Sequence, residues 1–174
     1  MQNRPLKNYL KISGITLLLV GAFIALIQND YVASINPIVI FLPLLAHVLL
    51  VFALYIKLGK EKTKALQLGN VDPKTVALDP KAWPESVVKI SNNIDNQFQT
   101  PVIFYALIFA FFLTDAINTV VFSVFSIYVL SRIIHTNIHI SSNYVPYRFK
   151  AFLVGILLLL GLTVWLIFHI LTSL

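Results

Sequence analysis

Cysteine is absent from the 174 residues of this chain. Its absence excludes disulfide bonds, metal sites built on thiolates and a catalytic thiol supplied by the protein itself. Charged residues are also scarce, at 11% of the chain, whereas soluble domains carry about a quarter. Hydrophobic residues make up 58%, which is more apolar surface than a globule of this length can bury. The composition therefore indicates an all-α integral membrane protein.

The few charges are mostly positive, with a formal net charge of +6 and a sequence pI of about 9.6. A basic balance is also found in nucleic-acid-binding proteins. In a membrane protein, however, lysine and arginine concentrate in the cytoplasmic loops and orient the chain. We therefore expect membrane lipids as partners and no nucleic acid.

Several segments are apolar enough to cross a bilayer, which takes about 20 residues of helix. They cover residues 9–27, 37–56, 98–113, 117–139 and 149–171. The third is short, but Trp83-Pro84-Glu85 is a typical helix start, with proline at the first helical position. We predict one helix over 84–113 that projects from the membrane in its first half and is kinked at Pro101.

The first segment has two interpretations. Residues 9–27 form either an extra N-terminal transmembrane helix or a signal peptide, since basic residues precede the apolar run and Val32-Ala33-Ser34 resembles a cleavage site. We take it as a retained helix that ends in a short outer loop. Residues 57–83 are polar and interrupted by glycine and proline, so we predict a cytoplasmic connector there.

The basic residues segregate to one side of this topology. Its inner side holds Arg4, Lys7, Lys11, the seven lysines from Lys57 to Lys89, Arg148 and Lys150, whereas its outer side holds only Asp30 and Asp115. By the positive-inside rule, the chain is a multi-pass membrane protein with a cytoplasmic N-terminus and an outside C-terminus. If the protein is bacterial, the membrane is the cell inner membrane.

Polar residues recur on one face of two predicted helices, at the inner membrane boundary. They are Lys89, Asn93, Asn96 and Thr100, with Asn92, Asp95 and Gln99 beside them, and on the second helix Tyr128, Arg132, His135 and His139. Arg132 lies roughly 10 Å from its helix end at 1.5 Å per residue, farther than a snorkelling side chain easily reaches. We interpret these stripes as the lining of a cavity, and Lys89 and Lys150 as interfacial cations that reach water.

The four histidines have simpler interpretations. His135 and His139 have the i, i+4 spacing of metal ligands, but no HExxH pattern and no third ligand accompany them. We therefore expect hydrogen-bonded histidines and no metal. His47 and His169 stand alone in apolar segments, where we expect packing histidines with satisfied nitrogens.

Three motifs resemble those of a known family. They are NNIDNQFQTPVIFYAL at 92–107, RIIHT at 132–136 and RFKAFLVG at 148–155. In this order they resemble motifs of the MAPEG family, the membrane-associated proteins in eicosanoid and glutathione metabolism, and especially those of a prokaryotic branch. The resemblance implies a four-helix transmembrane domain over 37–174, with residues 1–36 as an extra helix and loop. It also implies a homotrimer with sites between protomers.

The resemblance further implies glutathione as cofactor. Arg132 would be the catalytic residue that holds the thiolate. The cofactor would be bound by Lys89, Asn93, Asp95, Asn96, Gln99, Tyr128, His135, His139 and Arg148. Two positions depart from the family pattern, because Gln99 stands where the branch has a glutamate and His139 where a tyrosine is expected.

These departures leave two functions open. The first is a glutathione-dependent transferase or peroxidase that acts on lipophilic electrophiles or lipid hydroperoxides. The alternative is a non-catalytic lipid-binding or scaffold membrane protein of the same fold. A channel or transporter is disfavoured, because we find no paired intramembrane charges and predict no broken helix.

Overall fold

A computed structural model of the chain describes residues 34–174. The predicted helix over 9–27 and its signal-peptide alternative lie outside these residues. The described part is helical, without β-strands. Its α-helices are α1 (Phe41–Gln67), α2 (Pro73–Leu78), α3 (Glu85–Gln97), α4 (Pro101–Leu113), α5 (Thr119–Ile140) and α6 (Val145–Ser173), with short 3₁₀ helices at Pro37–Ile40 and Pro80–Ala82.

The described residues contain four stretches long and apolar enough to cross a membrane. They are α1 with its preceding 3₁₀ turn, α3 and α4 together, α5, and α6. Their outward faces carry large apolar side chains, such as Leu49 and Phe52 on α1, which are well exposed. Such faces are expected to contact lipid, since exposing so much apolar surface to water would be unfavourable. The predicted all-α membrane architecture is confirmed for the four spans after residue 36.

The second of these spans is broken, not kinked. The chain forms a turn over 98–100 between the end of α3 and the start of α4 at Pro101. A proline lacks the backbone N–H, and its ring clashes with the carbonyl four residues earlier, here that of Gln97. The predicted span over 84–113 is confirmed as Glu85–Leu113, but it consists of two helices, so the prediction of a single kinked helix and of no broken helix was wrong. A helix C-terminus, with carbonyls that lack intrahelical donors, lies inside this span.

The predicted connector over 57–83 is mostly helical. α1 continues through the lysine-rich sequence to Gln67, because lysine, leucine and alanine favour helix. It stops before Gly69, whose φ of +67° suits glycine. Asp72 caps α2, and its carboxylate accepts from the Thr75 hydroxyl (2.6 Å) and backbone N–H (3.0 Å). These bonds lower the pKa of Asp72.

Large aromatic side chains from α4, α5 and α6 fill the half of the bundle away from the connector. Phe111 stacks on Trp165, with ring centroids 5.0 Å apart, and meets Phe125 edge to face at 5.5 Å. Phe104 continues the cluster toward the connector side, where it stacks on Tyr128 at 4.7 Å. We call Phe104, Phe111, Phe125 and Trp165 the aromatic core; each is buried.

Close packing of α5 against α6 depends on Gly155. A methyl group at this position would lie 3.1 Å from the Ser131 hydroxyl oxygen and 3.3 Å from the Tyr128 ring. A small residue in a helix interface lets two helices approach closely. In lipid, where no hydrophobic effect drives helices together, the van der Waals contacts of this close approach hold them in place. This contact holds Tyr128 and its neighbours on α5 in place.

Candidate functional site

A group of polar side chains is buried on the connector side of the bundle. We call it the polar cluster: His47 from α1, Asn93 and Gln97 from α3, and Arg132, His135, Thr136 and His139 from α5. Buried polar side chains are costly in a membrane unless they are paired. A cluster of seven such residues is therefore a candidate functional site.

Gln97, the last residue of α3, lies at the centre of the polar cluster. Its carbonyl oxygen Oε1 accepts from His47 Nε2 at 3.2 Å and from Arg132 Nε and Nη2 at 3.4 and 3.3 Å. Its amide Nε2 donates to Thr136 Oγ1 and Asn93 Oδ1, both at 3.2 Å. One amide therefore joins α1, α3 and α5.

Arg132 is a buried cation without a carboxylate partner. Its side chain is only 1% exposed, and its Nη2 donates to the main-chain carbonyl of Asn96 at 3.2 Å. The break after Gln97 leaves the last carbonyls of α3 free, and the negative end of the helix dipole favours a cation there. Within residues 34–174, the structure shows one ion pair, Lys89 with Glu85 at 2.7 Å, so no acidic residue neutralises Arg132.

The hydrogen-bond pattern fixes the tautomer of His47. Because Gln97 Oε1 already accepts from Arg132, His47 Nε2 must carry the hydrogen that bonds it. His47 Nδ1 is then an acceptor for the Tyr105 hydroxyl, at 2.7 Å. The expectation that His47 is a satisfied packing histidine is confirmed, but it also supports the polar cluster.

The same reasoning fixes the tautomer of His139. Asn93 Oδ1 accepts from Thr136 Oγ1 at 3.1 Å and from Gln97, so the Asn93 amide nitrogen donates to His139 Nδ1 at 2.9 Å. His139 Nε2 therefore carries the hydrogen in the neutral ring. The two stripes predicted on separate helices meet through this bond.

A cleft of about 190 Å³ opens beside the polar cluster, between α3, α5 and the start of α6. Its lining consists of Asn96, His135, Val145, Arg148, Phe149 and Phe152. Arg148 is partly buried, and its Nη1 donates to Asn143 Oδ1 at 2.7 Å. The cleft therefore has a cationic wall next to an apolar one, an arrangement that fits an anionic molecule with an apolar reaction partner.

Two buried polar atoms flank Arg132 along α5 and have no hydrogen-bond partner among the described residues. They are the Tyr128 hydroxyl, with the Thr100 side chain beside it, and His135 Nε2. The Arg132 Nη1 group likewise donates no hydrogen bond to any residue in the described range. Leaving a buried polar group unpaired costs about 1–3 kcal/mol. This row therefore offers polar atoms that no described residue satisfies.

The structure places the predicted site residues at different distances from the polar cluster. Those in the polar cluster or the cleft lining are Asn93, Asn96, Arg132, His135, His139 and Arg148, and Tyr128 is buried one turn before Arg132 on α5. Lys89 is at the margin, where it pairs with Glu85 and donates to the Ser141 carbonyl at 3.4 Å. Asp95 and Gln99 are exposed and belong to neither. No group of three His, Cys, Asp or Glu residues that could hold a metal occurs in residues 34–174.

Sequence reasoning missed Gln97, Thr136 and the contribution of His47. Gln97 follows Asn93 by four residues, so the helical spacing alone would have placed it on the polar face. His47 lies 50 positions from Gln97 in an apolar segment, and no local pattern connects them. His169, by contrast, donates from Nε2 to the Thr114 carbonyl at 3.3 Å, as expected for a satisfied packing histidine.

Comparison with known proteins identifies one related group. The model of the MAPEG family matches residues 40–168, which include all four spans almost completely. No curated protein and no solved structure matches the chain. The matched range contains the polar cluster and every residue that lines the cleft.

Proposed function

Because the chain belongs to the MAPEG family, we propose that it is a membrane-embedded, glutathione-dependent transferase or peroxidase. Its substrates would be lipophilic electrophiles or lipid hydroperoxides that reach the site from the bilayer. Family membership and the four candidate spans establish a multi-pass membrane protein of the glutathione and eicosanoid metabolism type. The activity itself is our inference from the site.

The observation that carries this proposal is the unneutralised Arg132. A guanidinium that is 1% exposed and has no carboxylate partner within residues 34–174 is expensive to keep in a membrane. The end of α3 offsets part of that cost through dipole and carbonyl contacts. An anionic ligand would offset much of the remainder. Glutathione carries two carboxylates and a thiol that can ionise, so it supplies the missing negative charge.

Roles for the individual residues follow from their positions. Arg148 lines the cleft and would bind a glutathione carboxylate. Arg132 lies deeper, and its free Nη1 would face the thiolate. Tyr128 and His135 would bond the polar groups around the sulfur. Asn93, Asn96 and His139 would complete the binding set, with Lys89 at its margin, whereas the exposed Asp95 and Gln99 are not part of it.

The chemistry would use the sulfur of glutathione, since the chain has no cysteine. A free thiol has a pKa near 8.5, and lowering it by one unit takes about 1.4 kcal/mol of selective thiolate stabilisation. A desolvated cation supplies stabilisation of this order. The thiolate would add to an electrophilic carbon. With a hydroperoxide, two glutathione molecules would give the alcohol, water and glutathione disulfide.

We propose a homotrimer oriented with the connector in the cytoplasm, the N-terminus inside and the C-terminus outside. The lysines on the connector support this orientation by the positive-inside rule. Family membership supports the trimer. The protein would then take glutathione from the cytoplasm and its lipophilic substrate from the membrane.

Glutathione binding to the purified, detergent-solubilised protein tests the proposal. We expect calorimetry to detect binding at millimolar glutathione or below. In Gln97→Glu, a carboxylate of nearly the same shape would face Arg132 and neutralise it, so affinity should fall at least tenfold, or about 1.4 kcal/mol. The control is Gln67→Glu, the same change at an exposed residue on the end of α1, which should leave affinity unchanged.

A specific observation favours the alternative, a non-catalytic lipid-binding or scaffold protein. A second, almost wholly apolar groove of about 270 Å³ runs along the outer side of α5 and α6. It is lined by Ser131, Ile134, Tyr147, Lys150, Ala151 and Val154, and the Lys150 ammonium lies 5.7 Å from the Tyr147 ring centre. Tight lipid binding without detectable glutathione binding would favour this alternative and overturn the enzyme proposal.

A further inference from the structure

The protonation pattern of His135 follows from one main-chain contact. His135 Nδ1 lies 3.0 Å from the carbonyl oxygen of Arg148. A carbonyl oxygen can only accept a hydrogen bond, so Nδ1 must carry the hydrogen. In the neutral ring, Nε2 is therefore an unprotonated nitrogen with a free lone pair. The structure fixes this tautomer through the backbone of α6, independently of any other side chain.

The lone pair of His135 Nε2 is buried, and cations lie near the ring. His135 is 4% exposed, and Nε2 has no hydrogen-bond partner in the described part of the chain. The charged groups around the ring are Arg132, one turn back on α5, and Arg148 at the start of α6, which are both cations. His139, whose ring centre is 5.7 Å away, directs Nδ1 to Asn93 and keeps the hydrogen on Nε2.

Of the groups that line the cleft, His135 thus supplies a buried nitrogen that can accept a hydrogen, whereas Arg148 in the lining and the buried Arg132 on α5 are hydrogen-bond donors. The ring of Phe152 lies on the cleft side of His135, with the two ring centres 6.4 Å apart. A ligand that fits this cleft must bring negative charge for the arginines and a hydrogen for His135. An ionisable thiol supplies both, because it loses its hydrogen and becomes an anion in one step.

We propose that His135 is the general base of the site and takes the thiol proton of bound glutathione on Nε2. This inference rests on the function proposed above and adds a catalytic residue to it. The S–H bond breaks, the N–H bond at Nε2 forms, and the electron pair remains on sulfur. The proton moves within the site, so the net charge of the site does not change.

The imidazolium would be stabilised on one side by the Arg148 carbonyl, which accepts from Nδ1–H, and on the other by the thiolate itself. The thiolate would face the guanidinium groups of Arg132 and Arg148. After the sulfur attacks an electrophile, the proton on Nε2 passes to the product or to water in the cleft. General bases of this kind typically contribute about 10²–10⁴ to a rate.

Two substitutions separate the functions of the two ring nitrogens. In His135→Asn, the amide nitrogen takes the position of Nδ1 and can still donate to the Arg148 carbonyl, but nothing replaces Nε2. In His135→Gln, the longer side chain places an amide oxygen near the position of Nε2. That oxygen can accept a hydrogen bond but cannot take up a proton. Both variants keep a neutral polar side chain of similar size, which limits their effect on folding.

The experiment mixes each protein rapidly with glutathione and follows thiolate absorbance, with S-methylglutathione as a ligand that has no thiol proton. We expect both variants to bind S-methylglutathione within threefold of the wild type. Thiolate formation should be at least 100-fold slower in both. His135→Gln should behave like His135→Asn, because a group that only accepts a hydrogen bond from the thiol does not remove its proton.

The outcomes distinguish failure of this inference from failure of the proposed function. If the wild type binds neither glutathione nor S-methylglutathione, the proposed function fails. If both ligands bind and His135→Asn forms thiolate at the wild-type rate, the cations alone ionise the thiol and His135 is not the base. If only His135→Gln retains the wild-type rate, His135 is a hydrogen-bonding residue, and the inference is likewise overturned.

Discussion

The two halves of α5 are buried to a similar extent by opposite kinds of chemistry. Toward its start, Val121 and Phe125 are fully enclosed in the aromatic core, where contacts depend on shape. Toward its end, Arg132 and His139 are buried in the polar cluster, where contacts depend on hydrogen bonds. One helix therefore passes from a region held by packing to a region held by paired polar atoms.

The difference separates a half that is complete in itself from the half that we propose as the ligand site. The rings of the aromatic core, including the stacked Phe111 and Trp165, pack against one another, so this region needs no ligand to complete its contacts. Among the residues that the structure describes, nothing neutralises Arg132 in the polar cluster, and neither the His135 Nε2 atom nor the Tyr128 hydroxyl has a hydrogen-bond partner. A region that retains such costs is typical of a functional site.

The strongest test of this comparison removes a ring from the aromatic core. Phe111→Ala should lower the free energy of unfolding by about 3 kcal/mol, because a buried aromatic side chain leaves a cavity and loses its stacking partner. Unfolding in detergent, followed by circular dichroism, measures this loss. Leu113→Ala, at a side chain that is 79% exposed, should cost less than about 0.5 kcal/mol. Glutathione affinity well below the unfolding temperature should not change in either variant.

The opposite result is expected when the buried charge is removed. Arg132→Met keeps an unbranched apolar side chain but no charge, so glutathione affinity should fall about 100-fold, or roughly 2.7 kcal/mol. Stability should change by less than about 1 kcal/mol, since replacing a buried cation removes its desolvation cost. Lys150→Met removes one charge at an exposed position and serves as the control. A strongly destabilised Arg132→Met protein would mean that Arg132 is a structural tie between helices.

The smallest effect is expected at Asp95. The family resemblance made it a candidate cofactor-binding residue, but its side chain is exposed on α3 and lies outside the cleft lining. Asp95→Asn should therefore change glutathione affinity by less than twofold in calorimetry, with Glu61→Gln on α1 as the control for loss of a carboxylate. A tenfold loss would instead show that a neighbouring subunit closes a site over Asp95.

Local sequence patterns were enough to predict several parts of this protein. Long apolar runs gave the four spans after residue 36, since a bilayer of fixed thickness demands about 20 residues of helix. Helical spacing placed Tyr128, Arg132, His135 and His139 on one face, and all are buried. Both results depend only on residues within a few turns of one another, which is the range that periodicity describes.

Tertiary structure alone decided how these faces are used. The residues before Pro101 are compatible with a kink or with a full break. In the folded protein the helix is broken. Arg132, which is 36 positions from Asn96 in the chain, donates a hydrogen bond to the Asn96 carbonyl near the end of α3. Likewise, His47 joins Gln97 across 50 positions from a segment that looks purely apolar. Such contacts join residues distant in sequence, and their energy depends on geometry that no local pattern contains.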